Sequence, residues 1–158
     1  RDRLGAVSGN TDFTTEGILD TTTTLGGAEA GAFDQAITKT DPAMVMMSLA
    51  TYQSIDPNNP AVFSSTIIDG HIRNALKYTG VVISDSMSAE ALSSYDVSQL
   101  GVKLVEAGGD MSCIGQTDYV KPIVDGLNER AKSDPAFASK VTAAATRVMA
   151  LKIKMGLA

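Results

Sequence analysis

The sequence has little cysteine, histidine or tryptophan: 158 residues include one cysteine, one histidine and no tryptophan. The single cysteine, Cys113, excludes an intrachain disulfide, and one histidine without a cysteine cluster leaves no ligand set of the zinc type. Neither common kind of glycine-rich phosphate loop occurs, which disfavours a bound nucleotide. We therefore predict a protein that uses no metal and no other cofactor.

Long apolar runs and an excess of basic residues are also missing. No run approaches the ~20 residues that cross a bilayer, and the first residues lack the charged and apolar regions of a leader peptide. The net charge is −5 and the isoelectric point is ≈ 4.7, whereas nucleic acids and anionic membranes attract clustered Lys and Arg. We expect neither nucleic acid nor a membrane as a partner, but a sugar or another small molecule.

The composition and length of the chain are typical of a folded protein. Hydrophobic residues make up 44% of the sequence, and the chain has the length of one domain with a substantial core. Residues 1–27 are instead rich in Thr, Gly, Ser and Asp, which favour turns. We predict a single domain over residues 1–158, with residues 1–27 loop-like.

The chain is organised around residues 80–88, in which three β-branched apolar residues lead to Asp85. Such a run is too short for a helix, and its lack of polar alternation predicts a strand buried on both faces, as in parallel sheets. Ligands bind where such strands end. Asp85 is therefore a candidate nucleophile or base, although its spacing fits a helix N-cap equally well.

Residues 44–49 and 110–114 form two further apolar runs of the same kind. Over thirty residues separate residues 44–49 from residues 80–88, enough for a right-handed crossover, so these strands should be parallel. Their carboxyl ends would then bring Ser48 to the same edge as Ser84 and Asp85. We predict that Ser48 and Ser84 contact substrate.

Helical spacing of apolar residues, with favourable caps, occurs between these strands and after them. The last helix has the clearest pattern, with Asp134 as N-cap, Pro135 at the first position and an apolar stripe at Val141, Ala145, Val148 and Leu151. The five predicted helices are residues 28–38, 64–76, 97–107, 118–131 and 135–155. The fold class is therefore α/β, with about three parallel strands alternating with helices.

Four segments taken together resemble glycoside hydrolase family 3, and within it the β-N-acetylhexosaminidase-like branch. They are residues 43–48 (AMVMMS), 55–57 (IDP), 80–88 (GVVISDSMS) and 107–111 (AGGDM). The resemblance implies a (β/α)8 barrel that hydrolyses β-linked N-acetylglucosamine-type glycosides with retention, with Asp85 as the nucleophile. A barrel of this type takes ~250 residues and at least ~200, so we expect a truncated domain that forms half a barrel.

The resemblance also implies an Asp-x-His pair on a loop as the acid and base. Here the matching stretch is Asp12-Phe13-Thr14, so Thr14 stands where the histidine would be. The family's Lys-His-Phe-Pro-Gly segment is absent, and residues 1–5 (RDRLG) stand in its place. Asp12 is the predicted acid. The alternative for Asp12 is a turn residue that makes a local hydrogen bond.

The resemblance does not remove every alternative function. His71 lies on an apolar stripe with Ile67 and Ile68, which favours a packed structural histidine over a base. Neither a Gly-x-Ser-x-Gly elbow nor a Ser-x-x-Lys pair occurs. The alternative to a glycosidase is a fragment that is either inert or hydrolyses carboxylic esters in an opened pocket.

Two remaining expectations concern packing and assembly. Asp110 follows Gly108 and Gly109, and its position predicts that it anchors a turn. Three strands that do not close a barrel leave two sheet edges with unpaired backbone groups, which invite association. We therefore expect a homo-oligomer, most simply a homodimer.

Overall fold

The computed structural model describes residues 6–158 of the chain. In this part, short strands alternate with helices, as the sequence predicted. The elements are β1 (Leu19–Asp20), α1 (Ala28–Thr40), β2 (Met44–Met47), β3 (Thr51–Tyr52), a π-helix (Thr66–Ala75), β4 (Val81–Ser86), α2 (Val97–Ala107), β5 (Met111–Cys113), α3 (Val120–Ser133) and α4 (Pro135–Lys154). None of the helices in the described residues has the length and apolar character needed to span a membrane.

The central sheet has three parallel strands in the order β2, β4, β5. In the β2–β4 ladder, Met44 is opposite Val81 and Met47 is opposite Ser84. The predicted α/β fold with three parallel strands is confirmed. The order of strands and helices is that of part of a (β/α)8 barrel.

A second, two-stranded sheet joins the N-terminal region to the segment after β2. Leu19 of β1 pairs in parallel with Thr51 of β3, and Asp20 pairs with Tyr52. The prediction that residues 1–27 are loop-like is therefore wrong at Leu19 and Asp20, because tertiary pairing orders two residues that carry no strand pattern. The part of that prediction that concerns residues 1–5 lies outside the described residues.

The two faces of the central sheet differ in their exposure to solvent. Val82 and Ser84 are 0% exposed, whereas Met44 is 45% and Met46 54% exposed. Side chains alternate between the faces of a strand, so Asp85 shares a face with the two methionines. On that face Val81, opposite Met44, is 1% exposed. The helices pack against the other face, where Val82 joins the main hydrophobic core.

Helix α4 begins as its sequence predicts, because the Asp134 carboxylate accepts hydrogen bonds from the N–H groups of Ala136 and Phe137. Its predicted apolar stripe is wrong at one position. Ala145 is exposed and Ala144 is 3% exposed. The stripe that faces the protein instead follows positions 137, 141, 144, 148 and 151, which recur every three or four residues. Phe137 and Ala144 are buried, and the other three are half-buried.

Asp110 joins three elements at the amino-terminal ends of the strands, and does more than anchor a turn. Its side chain is 0% exposed and forms ion pairs with Arg73 of the π-helix and Arg147 of α4. It also accepts a hydrogen bond from the N–H of Val82 in β4 at 2.8 Å. A buried carboxylate between two guanidinium groups therefore fixes where the π-helix and α4 contact the sheet.

We predict that Asp110→Asn lowers the free energy of unfolding by about 3–5 kcal/mol. The change leaves the buried Arg73 side chain, which is 12% exposed, without its charge partner. Urea denaturation followed by circular dichroism measures the difference. As a control, Lys121→Gln removes an ion pair whose side chains are 84% and 52% exposed, and its midpoint should match the wild type. Equal midpoints for all three proteins would contradict this account.

We also predict a pH-dependent role for Asp20, which is 0% exposed. Burial raises the pKa of Asp20, but the N–H groups of Thr23, Thr22 and Ala6 donate to its carboxylate and bring the pKa below its usual value. A lowered pKa stabilises the fold above the unfolded value of ~3.9, and this contribution is lost as the pH falls through the folded pKa.

Asp20→Asn should therefore destabilise the protein at pH 7. The difference in free energy of unfolding between the variant and the wild type should become smaller at acidic pH. The measurement is the urea midpoint of both proteins from neutral to acidic pH. A gap that stays constant as the carboxyl group protonates would show that the charge of Asp20 is not the stabilising feature.

Candidate active site

Asp85 is the fifth residue of β4, which runs from Val81 to Ser86, and lies at the carboxyl end of the sheet. Its half-buried carboxylate accepts a hydrogen bond from the N–H of Ser86 at 2.9 Å through Oδ1. The alternative that Asp85 caps a helix is wrong, because the next α-helix, α2, is capped by the side chain of Asp96. The strand therefore presents Asp85 at the edge where parallel sheets bind ligands.

A cavity of about 180 Å³ opens beside Asp85. It is lined mainly by apolar side chains from α1, β2, the segment after β2 and the π-helix. Asp85 and Ser48 both line it, as do Thr11, Tyr52, Asp34 and His71. The structure thus brings two of the four predicted site residues, Asp85 and Ser48, to one cavity.

Ser48 lies directly after β2, and its hydroxyl is held by local hydrogen bonds. It accepts from the N–H of Ala50 at 3.0 Å, and it shares a hydrogen bond with the hydroxyl of Tyr52. Burial raises the pKa of Tyr52, and the nearby carboxylates of Asp20 and Glu29 raise it further against the opposing effect of Ser48. Tyr52 therefore remains a neutral hydroxyl group on the cavity wall.

Ser84 is 0% exposed and does not line the cavity. Its hydroxyl accepts a hydrogen bond from the N–H of Cys113 at 2.9 Å, which joins β4 to β5 one residue before Asp85. In this ladder the register is irregular between Ile83 and Ser86, so a side chain supplies a bond where the regular backbone pairing is interrupted. The substrate contact predicted for Ser84 stays a prediction.

Asp12 lies in a half-buried turn that is tied to the segment after β4. The carbonyl oxygens of Asp12 and Thr11 accept hydrogen bonds from the N–H groups of Glu90 and Ala91, at 3.3 and 3.1 Å. Within the turn, the side chain of Asn10 accepts from the N–H of Asp12 at 3.1 Å. Thr11 lines the cavity and Asp12 does not, so the acid role of Asp12 stays a prediction.

The structure adds a carboxylate–imidazole pair that the sequence did not reveal. Nε2 of His71 lies 2.8 Å from Oδ1 of Asp34, and the two side chains are 16% and 26% exposed. His71 belongs to the π-helix and Asp34 to α1, 37 positions apart in sequence. His71 does lie among buried apolar residues of its helix, as predicted. No local pattern points to Asp34 as its partner.

The described residues offer no obvious metal centre. Within residues 6–158, no three side chains of the His, Cys, Asp or Glu type come together in a way that could hold a metal ion. The chemistry that the cavity supports by itself is that of a carboxylate at its edge, four hydroxyl side chains (Thr11, Thr23, Ser48 and Tyr52) and a carboxylate–imidazole pair.

Comparison with known families gives one match over most of the chain. The family described as "Glycosyl hydrolase family 3 N terminal domain" matches residues 5–151. Among curated proteins, an uncharacterized secreted glycosyl hydrolase of Arthroderma benhamiae is 36% identical over 69 residues, which are 43% of this chain and 20% of that protein.

Solved structures extend the match to three dimensions. A β-N-acetylhexosaminidase from Beutenbergia cavernae is 36% identical with a TM-score of 0.84, and the match covers 92% of this chain and 43% of that chain. A glycoside hydrolase family 3 β-N-acetylglucosaminidase from Paenibacillus sp. is 27% identical with a TM-score of 0.78, over 88% of this chain and 27% of that chain. The chain thus spans less than half the length of these relatives.

Proposed function

Because the chain belongs to glycosyl hydrolase family 3, we propose that it hydrolyses β-linked N-acetylglucosamine-type glycosides and retains the anomeric configuration. The sugar class is supported by the similarity to a β-N-acetylhexosaminidase and a β-N-acetylglucosaminidase at 36% and 27% identity. The observation that carries the proposal is the position of Asp85, which β4 places at the carboxyl end of the sheet and on the wall of a cavity.

In the proposed reaction the Asp85 carboxylate attacks the anomeric carbon as the bond from that carbon to the leaving oxygen breaks, which forms a covalent glycosyl intermediate. Water then attacks the same carbon, gives a proton to the group that acted as the acid and releases the Asp85 carboxylate. The hydrogen bond from Ser86 N–H to Oδ1 orients the carboxylate. Ser84 supports this position indirectly, because its bond to Cys113 holds β4 against β5 next to Asp85. Ser48 lines the same cavity and is proposed to hydrogen-bond a sugar hydroxyl group.

Asp12 is the proposed acid that protonates the leaving oxygen. Retaining glycosidases hold their two carboxyl groups about 5–5.5 Å apart, and the backbone bonds from Glu90 and Ala91 tie the turn of Asp12 to the segment that follows Asp85. Thr14 replaces the histidine of the family pattern, and its hydroxyl accepts from the N–H of Glu16 at 2.9 Å. Proton transfer in this chain would therefore depend on Asp12 with Thr14 in the position of that histidine.

Ester hydrolysis, the alternative that the sequence left open, has less support. A serine hydrolase needs a serine activated by a base, yet among residues 6–158 no hydrogen bond joins a serine hydroxyl group to His71. The Ser48 hydroxyl bonds instead with Ala50 and Tyr52.

We predict that Asp85→Asn lowers kcat for an aryl N-acetyl-β-glucosaminide by roughly 10⁴-fold or more. The amide of asparagine does not form the glycosyl intermediate. A fluorinated sugar that traps the intermediate should label the peptide that contains Asp85, as detected by mass spectrometry. Asp125→Asn, at a side chain 52% exposed on α3, is the matched control and should retain wild-type activity.

The companion variant Asp12→Asn tests the acid. Its loss should exceed about 100-fold on a natural disaccharide and be much smaller on the aryl substrate, because an activated leaving group hardly needs protonation. The glycosidase proposal fails if the wild type neither cleaves these sugars nor accepts the label.

We further propose that residues 1–158 form one domain that self-associates. One hydrophobic core contains residues from α1, β2, the π-helix, β4, α2 and α3, which supports a single folding unit. Among the described residues, β2 and β5 each pair with only one strand, so the central sheet has two unpaired edges. Met44 and Met46 leave apolar surface exposed along the β2 edge, and an apolar edge strand favours association.

We predict that multi-angle light scattering at micromolar concentration gives the mass of a dimer or larger oligomer. Met44→Lys combined with Met46→Lys should shift the protein toward monomer, because burying the charge of each lysine in an apolar contact is unfavourable. Ile153→Lys, at an exposed position near the end of α4, is the control. A wild type that is monomeric at every concentration would contradict the proposal.

A further inference from the structure

The proposed reaction uses Asp85, Asp12 and Ser48, and leaves one carboxylate–imidazole pair in the cavity without a role. That pair is Asp34 and His71, whose Oδ1 and Nε2 atoms are 2.8 Å apart. Both residues line the same cavity as Asp85. Asp34 comes from α1 and His71 from the π-helix, so the pair joins these two helices at the wall of the cavity.

The carboxylate of Asp34 determines which nitrogen of the His71 ring carries the proton. An ionised carboxylate only accepts hydrogen bonds, so Nε2 of His71 carries the proton that it shares with Asp34. In a neutral imidazole this leaves Nδ1 as an acceptor. Asp34 therefore holds His71 in the tautomer that accepts one hydrogen bond from a ligand.

The walls near this pair are apolar. Phe33 and Ile37 of α1, Val45 of β2, and Ile67 and Ile72 of the π-helix line the cavity together with the pair. Phe33 is 40% exposed, so apolar surface remains in contact with water. A sugar ring would leave most of its hydroxyl groups without partners against such walls, whereas an aryl or alkyl group would remove apolar surface from water.

The helix that carries His71 has an unusual backbone. Gly70 N–H bonds to the carbonyl of Ser65, and Leu76 N–H bonds to the carbonyl of His71, both five residues back at 2.9 Å. Wide turns of this kind are rare in proteins, and those that occur are often at functional sites. Its occurrence around His71 is a second observation in favour of a functional position.

We infer that the part of the cavity between α1 and the π-helix binds an aryl or alkyl group with one hydrogen-bond donor, and that His71 accepts this hydrogen bond. Asp34 is the positioning residue that orients the imidazole. If the glycosidase proposal holds, on which this last step rests, the group bound here is the aglycone. The substrates would then be N-acetylglucosaminides of phenols or apolar alcohols that carry a second donor.

The test compares two probes with the same aromatic ring, 2-naphthol and 2-methoxynaphthalene, in which a methyl group replaces the donated hydrogen, by fluorescence titration. Wild type should bind 2-naphthol roughly threefold to tenfold more tightly, the effect of one net hydrogen bond. His71→Phe should lose the preference for 2-naphthol, and Asp34→Asn should reduce it. Asp69→Asn changes an exposed carboxylate of the same helix that pairs with Lys140, and should keep the wild-type ratio.

Two results would overturn the inference. One is a wild-type protein that binds both probes equally or binds neither. The other is a His71→Phe variant, folded by circular dichroism, that retains the preference for 2-naphthol. The wild-type comparison needs no variant to fold.

Different results would reject the ligand site and the glycosidase proposal. Asp85→Asn should lose turnover and keep the ratio of affinities for the two probes, since the preference for the donor is assigned to His71. A wild type that discriminates between the probes but cleaves no glycoside would reject the glycosidase proposal and keep the ligand site. A wild type that cleaves glycosides and does not discriminate would do the reverse.

Discussion

The buried carboxylate of Asp110 is the interaction on which the arrangement of the sheet and its outer helices depends. It pairs with Arg73 and Arg147 and accepts from Val82 N–H, while its own N–H donates to the carbonyl of Val82. Arg73 also donates to the carbonyl of Gly80. Because removing one partner of a buried pair leaves an uncompensated charge, this network favours one position of the π-helix and α4 relative to β4.

The two ends of the central strands therefore differ in the residues that they carry. The amino-terminal ends of β4 and β5 carry the ion-pair network, and the carboxyl end of β4 carries Asp85. The buried hydroxyl of Ser84 joins β4 to β5 beside that end. A rigid strand thus holds the proposed nucleophile, which favours precise placement of its carboxylate. The rest of the cavity wall comes mainly from side chains of α1, β2, the segment after β2 and the π-helix.

Much of the fold and part of the site could be predicted from the sequence, because they depend on neighbours along the chain. Short apolar runs predicted the three strands of the central sheet, and the motif of residues 80–88 placed Asp85 at a strand end. Asp134 and Pro135 predicted the start of α4, since a cap bonds only to the next few residues. Its buried face was less certain, because Ala144 and Ala145 are chemically identical and only contacts with α2 and α3 choose between them.

Tertiary structure alone decided the contacts between distant residues. The β1–β3 pairing involves two residues on each side, too few for a periodic pattern. His71 and Asp34 are 37 positions apart, as are Arg73 and Asp110. The spacing of residues in the sequence does not indicate such partners, because tertiary packing decides which oppositely charged side chains lie close together. The sequence by itself determined the strands, the helix caps and the position of Asp85, whereas packing between elements created the cavity and its carboxylate–imidazole pair.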